Sequence, residues 1–275
     1  MKTASFYVRI YFMDNKLFDS KRIASGYAND RPWLHQSIIE QIKVDFADKV
    51  PFQNGLDVGC GAGLSTKALK LICNKVTGTD ISEEMVHICK TQYAAPEFTF
   101  YTAKAEETEI PQSSYDIVTA AGVVDWVEKD RFLENMKCVM AEYAPLIIYD
   151  FWISDKMVGN KAYTDWYQNQ YLVKFPKPPR NSNVWEQEDI PTSFSFIKQT
   201  VCEMQYEFDM ASFIRFMMTQ TNINLKIESG NMTEEEVHDW MRETLSLIFQ
   251  GRKQTLIFDG YIRIYQNIIV NRKEE

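Results

Sequence analysis

Between residues 54 and 70 the chain reads NGLDVGCGAGLSTKALK, a short apolar strand that passes through three alternating glycines into an amphipathic segment. No other stretch narrows the fold as far. A strand, a glycine turn and a helix start make the first half of a βαβ unit, and such units demand a parallel sheet covered by helices. The next hundred residues keep the alternation. After GLDV (55–58), Leu64, Ala68, Leu71 and Ile72 share one helical face. KVTGTD (75–80) is the next strand, Ser82 caps the helix after it with Glu83 and Glu84 in the positive first turn, and Met85, Cys89 and Tyr93 form its buried stripe. EFTFYTA (97–103), YDIVTAAGVV (115–124) and APLIIYDFW (144–152) are further strands, the last two separated by a helix carrying Phe132, Leu133, Met136, Val139 and Met140.

Beyond residue 152 the alternation stops. Residues 153–195 are rich in Trp, Tyr, Asn, Gln and Pro, and KFPKPPR (174–180) breaks any regular element, so the stretch reads as an inserted cap. A strand at 199–208, a helix at 209–220, a helix at 233–250 opened by a Thr233 to Glu236 capping box and a strand near 255–270 complete the chain. The expected fold is α/β: a Rossmann-like doubly wound sheet, mostly parallel with an antiparallel C-terminal strand, plus the cap. Ligands of such sheets bind at the carboxyl ends of the strands, where the glycine loop lies.

Composition excludes several classes. With 275 residues, 45% hydrophobic and 25% charged, the chain buries a sizeable core and is not disordered. Five scattered cysteines without a CxxC pair fit reduced thiols and a cytoplasmic location, and no metal-ligand spacing occurs. His35, His87 and His238 lie far apart in sequence and read as structural. The opening MKTASFYVRIYFMDNK is interrupted by Arg9 and lacks a small-residue cleavage site, so it does not read as a signal peptide. No run approaches the roughly 18 apolar residues of a membrane span. A net charge of −8 repels a phosphate backbone, which argues against a nucleic-acid partner.

Three ligand classes use a strand, a glycine turn and a helix start. The phosphate loop GxxxxGK[ST] is absent, and the dinucleotide pattern GxGxxG fails because Gly59, Gly61 and Gly63 give GxGxG with Leu64 at the third glycine's place. Asp57 at the strand end repels a pyrophosphate but attracts the amino group and sulfonium of S-adenosylmethionine. Gly59 and Gly61, flanking Cys60, permit close approach of a methionine portion. Asp80, followed by Ile81 at the end of the second strand, suits ribose hydroxyls. Ala105 and Glu106 in AKAEE (103–107) suit an adenine edge, and Ala121 ends the fourth strand beneath the sulfonium.

LDVGCGAG, VTGTDIS, AKAEETEIP and SYDIVTAAGVVDW, in that order and spacing, resemble the successive motifs of class I S-adenosylmethionine-dependent methyltransferases. More finely, FDSKRIASGYANDRP (18–32) and FIRFMMTQTNI (213–223) are similar to the N-terminal helix and lid of the small-molecule, trans-aconitate methyltransferase type. That resemblance implies a single domain over 1–275, with a capping segment (1–35), a cofactor core (36–152), a cap insertion (153–195) and C-terminal strands and lid helices (196–275). It also makes Tyr27 and Arg31 cofactor or substrate contacts, against a plain packing role. One position departs from it: Asp125-Trp126 stands where relatives often have His-Trp, and a carboxylate there opposes a polyacid acceptor.

Methyl transfer is an in-line displacement that chiefly needs an acceptor held close with water excluded. Tyr163, Trp166, Tyr167, Tyr171 and Trp185 are expected to enclose the acceptor or else to pack on themselves as a surface cap, Trp126 to line its pocket or fill the core, and Asp125 or Asp150 to take its proton. Thr119-Ala120-Ala121-Gly122 replaces the Asn/Asp-Pro-Pro-aromatic sequence of nucleic-acid and protein-amide methylating enzymes, which favours a small-molecule acceptor, oxygen before nitrogen and carbon last. The competing readings are an NAD-dependent oxidoreductase and a cofactor-binding protein without turnover.

Overall fold

The structure, a computed structural model, describes residues 20–107, 115–178, 185, 190–191 and 193–268. Expectations placed on the first residues, on 108–114 and on the end of KFPKPPR lie outside these. In chain order the elements begin with α1 (Lys21–Asp30), α2 (His35–Asp45), β1 (Phe52–Val58), α3 (Leu64–Leu69), β2 (Cys73–Asp80) and α4 (Glu83–Gln92). They continue with β3 (Phe98–Thr102), β4 (Ile117–Ala121), α5 (Lys129–Val139) and β5 (Pro145–Met157). A helical stretch comes next as α6 (Lys161–Asp165), a π-helical turn (Trp166–Tyr171) and α7 (Leu172–Lys174). Then come β6 (Phe194–Phe208), α8 (Met210–Met218), α9 (Thr221–Glu228), α10 (Glu234–Phe249) and β7 (Gln254–Asn267).

The described residues fall into two compact units, one drawn from 35–107, 115–150, 185–202 and 261–268, the other from 20–34, 151–178 and 203–260. All seven strands contribute to the first unit, in the order β3-β2-β1-β4-β5-β7-β6. The pairs β1–β2, β1–β4, β2–β3 and β4–β5 are parallel. Strand β7 is antiparallel: its end meets the start of β5 where Asn267 N–H donates to the Ala144 carbonyl at 3.0 Å, and its start meets the end of β5 through Val158 and Thr255 at 2.9 Å. Strands β1, β4 and early β5 carry Leu56, Val58, Val118, Ala120, Leu146, Ile147 and Ile148 with no exposed area, the continuous apolar run of strands covered on both faces. Strand order reverses between β1 and β4. Open α/β sheets form their ligand crevice at such a topological switch, outside the carboxyl ends of the two strands, and the glycine loop extends from one of these ends.

Local signals place the helices as the sequence implies. Ser82 accepts a hydrogen bond from Met85 N–H at 3.3 Å, and α4 buries Met85, Val86 and Cys89. Helix α5 buries Phe132, Leu133 and Met136 in a cluster shared with Trp185 and Tyr265. Leu71 departs from expectation, being 50% exposed. Helix α3 has ended by then, and the bonds Leu71 N to Ala68 O and Ile72 N to Leu69 O tighten the last turn to 3₁₀ spacing, rotating Leu71 off the buried face.

In the second unit the Thr233–Glu236 capping box forms as expected, with both reciprocal bonds present at the start of α10. The aromatic enclosure does not. Tyr163, Trp166, Tyr167 and Tyr171 are 0–5% exposed and stack into this unit's core with Phe175, Phe213 and Trp240, while Trp185 lies in the first unit. The cause is local geometry. Trp166 and Tyr171, five residues apart, share one face only because the turn between them is π-helical, and their rings stack at 5.5 Å. Residues 221–228, to which the sequence reading gives no helix, form α9, whose Asn222 donates to the Phe175 carbonyl at 2.6 Å.

Candidate functional site

The glycine loop joins β1 to α3 and is pinned to the end of β2. Cys60 N–H donates to the Thr79 carbonyl at 2.8 Å, and Gly61 N–H to Asp80 Oδ2 at 2.8 Å. The other carboxylate oxygen, Asp80 Oδ1, accepts from Ser82 N–H at 2.9 Å, so one side chain ties the loop to the start of α4. Gly59 and Gly61 have φ of 66° and 51°, in the left-handed region that side chains disfavour. A Cβ on Gly59 would stand 2.2 Å from Val123 Cγ2, whereas one on Gly61 would meet no protein atom within 4 Å. Gly61 therefore opens onto unfilled space beside the half-buried Asp80. Ile81 is half-buried in the bend between Asp80 and α4.

Asp57 has no exposed area, and its carboxylate turns inward. Oδ2 accepts from Ser65 Oγ at 2.6 Å and Thr66 Oγ1 at 2.7 Å, and Oδ1 from Thr119 Oγ1 at 2.9 Å. These bonds clamp β1, the first turn of α3 and β4 around one buried acid. Burial pushes the carboxyl from its ordinary 3.8 up to about 6 despite the three hydroxyl donors, and the Asp80 charge adds to the rise. This shift sets the sign of the pH dependence. The folded chain holds a proton on Asp57 where the unfolded chain has released it. The stability from this group is complete below 3.8 and is lost as pH rises through 6. Relative to Asp57→Asn, the wild type is expected to lose about 3 kcal/mol between pH ~4 and ~7. Urea unfolding of both proteins across that range checks this, and parallel curves would refute it.

Two further expected positions hold secondary structure together. The Ala105 carbonyl accepts from Asn135 Nδ2 at 2.8 Å, and Glu106 Oε1 accepts from Glu128 N–H at 2.9 Å, just before α5. After β4, Ala121 lies in register with Tyr149, and Gly122 N–H donates to the Tyr149 carbonyl at 2.9 Å. Gly122 has a φ of 66°, and a Cβ there would stand 3.2 Å from Asp150 Oδ1. The chain then turns through Asp125 and Trp126, with Trp126 N–H bonded to the Val123 carbonyl at 2.8 Å; both side chains are half-buried.

The charges of Asp125 and Asp150 both act on Tyr261 on β7. Burial, then the Asp150 charge and more weakly Asp125, hold that phenol far above its ordinary value, with Arg263 working the other way. Arg263 stacks over the Tyr261 ring at 4.6 Å. Sequence reasoning missed Tyr261 and Arg263, because β7 reaches this place only by inserting beside β5. It also passed over His35, whose Nδ1 lies 2.9 Å from the buried Tyr149 hydroxyl. Tyr27 and Arg31 belong to the second unit. There the Arg31 guanidinium stacks 3.6 Å over the Tyr27 ring and donates to Thr219 Oγ1 at 3.3 Å.

Among the described residues no helix is long and apolar enough to cross a membrane, and no group of His, Cys, Asp and Glu could hold a metal ion. The site's chemistry lies instead in two acidic positions around a glycine loop, Asp57 beneath it and Asp80 beside it. Asp57 disfavours a phosphate and favours a cationic ligand, whereas Asp80 suits ribose hydroxyls and does not by itself discriminate between cofactors.

Comparison with known proteins bears on the family and the fold. Residues 56–148 match the family model described as a methyltransferase domain. A Dictyostelium discoideum protein bearing the name methyltransferase is 23% identical over 267 residues, covering 94% of this chain and 96% of its own. The solved structure of a type II methyltransferase from Anaeromyxobacter dehalogenans superposes with a TM-score of 0.63 at 19% identity, over 83% of this chain and 94% of that one. A cyclase shares the fold as well, with a TM-score of 0.54 at 12% identity over 96% of each chain. The fold alone thus leaves the reaction to the residues of the site.

Proposed function

We propose that this chain, a class I S-adenosylmethionine-dependent methyltransferase, transfers the methyl group to a small-molecule acceptor, with an oxygen acceptor ahead of nitrogen and carbon. The cofactor supplies a methyl group already activated on a sulfonium. The chain's task is to hold, orient and dehydrate the partners.

The observation that carries the reading is the open face of Gly61 beside Asp80. In this reading Asp80 accepts the ribose hydroxyls, and the backbone of Gly59, Cys60 and Gly61 lies along the methionine portion. Asp57, already occupied by three hydroxyls, favours the amino group through its charge beneath the loop. Ile81 offers an apolar surface to the adenine, Ala105 and Glu106 its polar edge, and Ala121 the floor of the transfer point. Tyr27 and Arg31, the latter braced on Thr219, are the cofactor or substrate contacts that the trans-aconitate-type resemblance implies.

A hydroxyl acceptor sheds its proton as the new bond forms, and Asp125 and Asp150, whose charges both act on Tyr261, are the groups assigned to receive it. A carbon acceptor would need a stronger base, which places C-methylation last. Trp126, half-buried in the same turn, is assigned to the acceptor wall. The carboxylates disfavour a polyacid acceptor of the trans-aconitate kind, and the net charge of −8 disfavours nucleic acid. A cytoplasmic location belongs to the same reading, on the cysteine pattern.

Calorimetric titration tests the cofactor. S-adenosylmethionine and S-adenosylhomocysteine are expected to bind and NAD not to; binding of NAD alone would overturn the assignment. Incubation of a cell extract with methyl-labelled cofactor tests the acceptor. Label is expected in the small-molecule fraction, and label confined to protein or nucleic acid would reject that part.

A further inference from the structure

We propose that Cys60 and Cys89 form a reversible disulfide that closes the glycine loop to the cofactor, an inference that rests on the loop's being the cofactor cradle. Cys60 sits in that loop between Gly59 and Gly61, and Cys89 lies on the buried face of α4. The two thiols share one acceptor. Cys60 Sγ lies 3.6 Å and Cys89 Sγ 3.2 Å from the Gly61 carbonyl oxygen. Val86 and Phe100 pack around the pair. The other three cysteines stand apart from it: Cys73 beneath Gly55 on β2, Cys138 exposed on α5, and Cys202 half-buried on β6.

Oxidation removes one proton from each sulfur and joins the sulfurs, while two electrons pass to the oxidant. A peroxide leaves as two waters, and a small disulfide leaves as two thiols. In the closed loop the reaction is held back. The neighbouring Cys89 thiol, then burial, keeps the Cys60 thiol well above its ordinary value, so it is protonated and a weak nucleophile at neutral pH. The pair therefore reacts when the loop opens, and a bound cofactor protects it.

A disulfide carries no S–H, so the Gly61 carbonyl loses both thiol donors. The bridge also ties the Cys60 backbone to α4, because disulfide geometry holds the two Cα atoms within roughly 4.4–6.8 Å. The bonds that set the loop's shape, Cys60 to Thr79 and Gly61 to Asp80, lie on either side of the tied residue.

The test uses the full chain carrying Cys138→Ser and Cys202→Ser, so that the less buried thiols do not pair between molecules. The protein is treated with diamide, with and without S-adenosylhomocysteine, and non-reducing peptide mapping locates the bridge. Calorimetry measures S-adenosylmethionine affinity before oxidation, after it, and after thiol reduction. A Cys60–Cys89 peptide is expected, formed more slowly with S-adenosylhomocysteine present, with affinity reduced by about tenfold or more and restored by reduction. Cys89→Ser in the same background should keep its affinity through diamide, with Cys89→Ala as the alternative if serine is not tolerated at this buried site. Absence of the linked peptide, or a linked peptide with unchanged affinity, overturns the inference. Reduced protein that binds cofactor but forms no bridge rejects the switch alone, whereas reduced protein that binds no cofactor rejects the cradle and the switch with it.

Discussion

Gly59→Val is expected to abolish detectable S-adenosylmethionine binding and to lower stability by about 2–3 kcal/mol. Two costs combine at this position. The backbone φ of 66° disfavours any side chain, a β-branched one most, and the first added carbon would stand 2.2 Å from Val123 Cγ2. Either the glycine loop or the turn after β4 must move, and both border the crevice at the topological switch. Gly61→Ala separates fold from binding. Its added carbon meets no protein atom within 4 Å, so only the left-handed backbone costs stability, about 1 kcal/mol, while the methyl projects where the cofactor is assigned. Chemical unfolding and calorimetry on both variants check the pair. Normal cofactor affinity in a folded Gly61→Ala would show that the loop is not the cradle.

Asp80→Ala should weaken S-adenosylmethionine binding by about 100-fold, or ~2.7 kcal/mol, the scale of charge-assisted hydrogen bonds to a diol. The substitution also leaves Gly61 and Ser82 N–H without their acceptor, so part of the loss reflects a slack loop. Asp116→Ala is the matched control. Its carboxylate likewise accepts from two backbone donors, Gln53 at 3.1 Å and Asn54 at 2.8 Å, but at the amino-terminal end of β1. Both variants should lose stability, and Asp80→Ala alone should lose the cofactor. Equal affinities in the two would remove Asp80 from the site.

Much of the first unit was legible before any coordinates. Its strands are short apolar runs, its helices carry amphipathic stripes, and Ser82 announces a helix start, as the Thr233–Glu236 box does in the second unit, because caps and periodicity act within a few residues. The glycines were equally plain, since a turn at positive φ selects for them locally. Asp57 was readable as a residue that matters but not for the way it faces. Its three hydroxyl partners come from two separated segments, α3 and β4, and no local rule unites them.

The aromatic segment marks the other limit. Tyr163, Trp166, Tyr167 and Tyr171 suggested a pocket wall, and a π-helical turn made them a core, because a five-residue spacing finds a common face only when the helix loosens locally. The order of elements, the sheet class and the glycine turn could be read from the chain alone, since all three arise from interactions between near neighbours. Packing was needed to turn Asp57 inward, to bring the charges of Asp125 and Asp150 to bear on Tyr261, and to set two thiols on the Gly61 carbonyl. Those contacts join residues far apart in the chain, and they exist only once strand order and helix packing have brought the segments side by side.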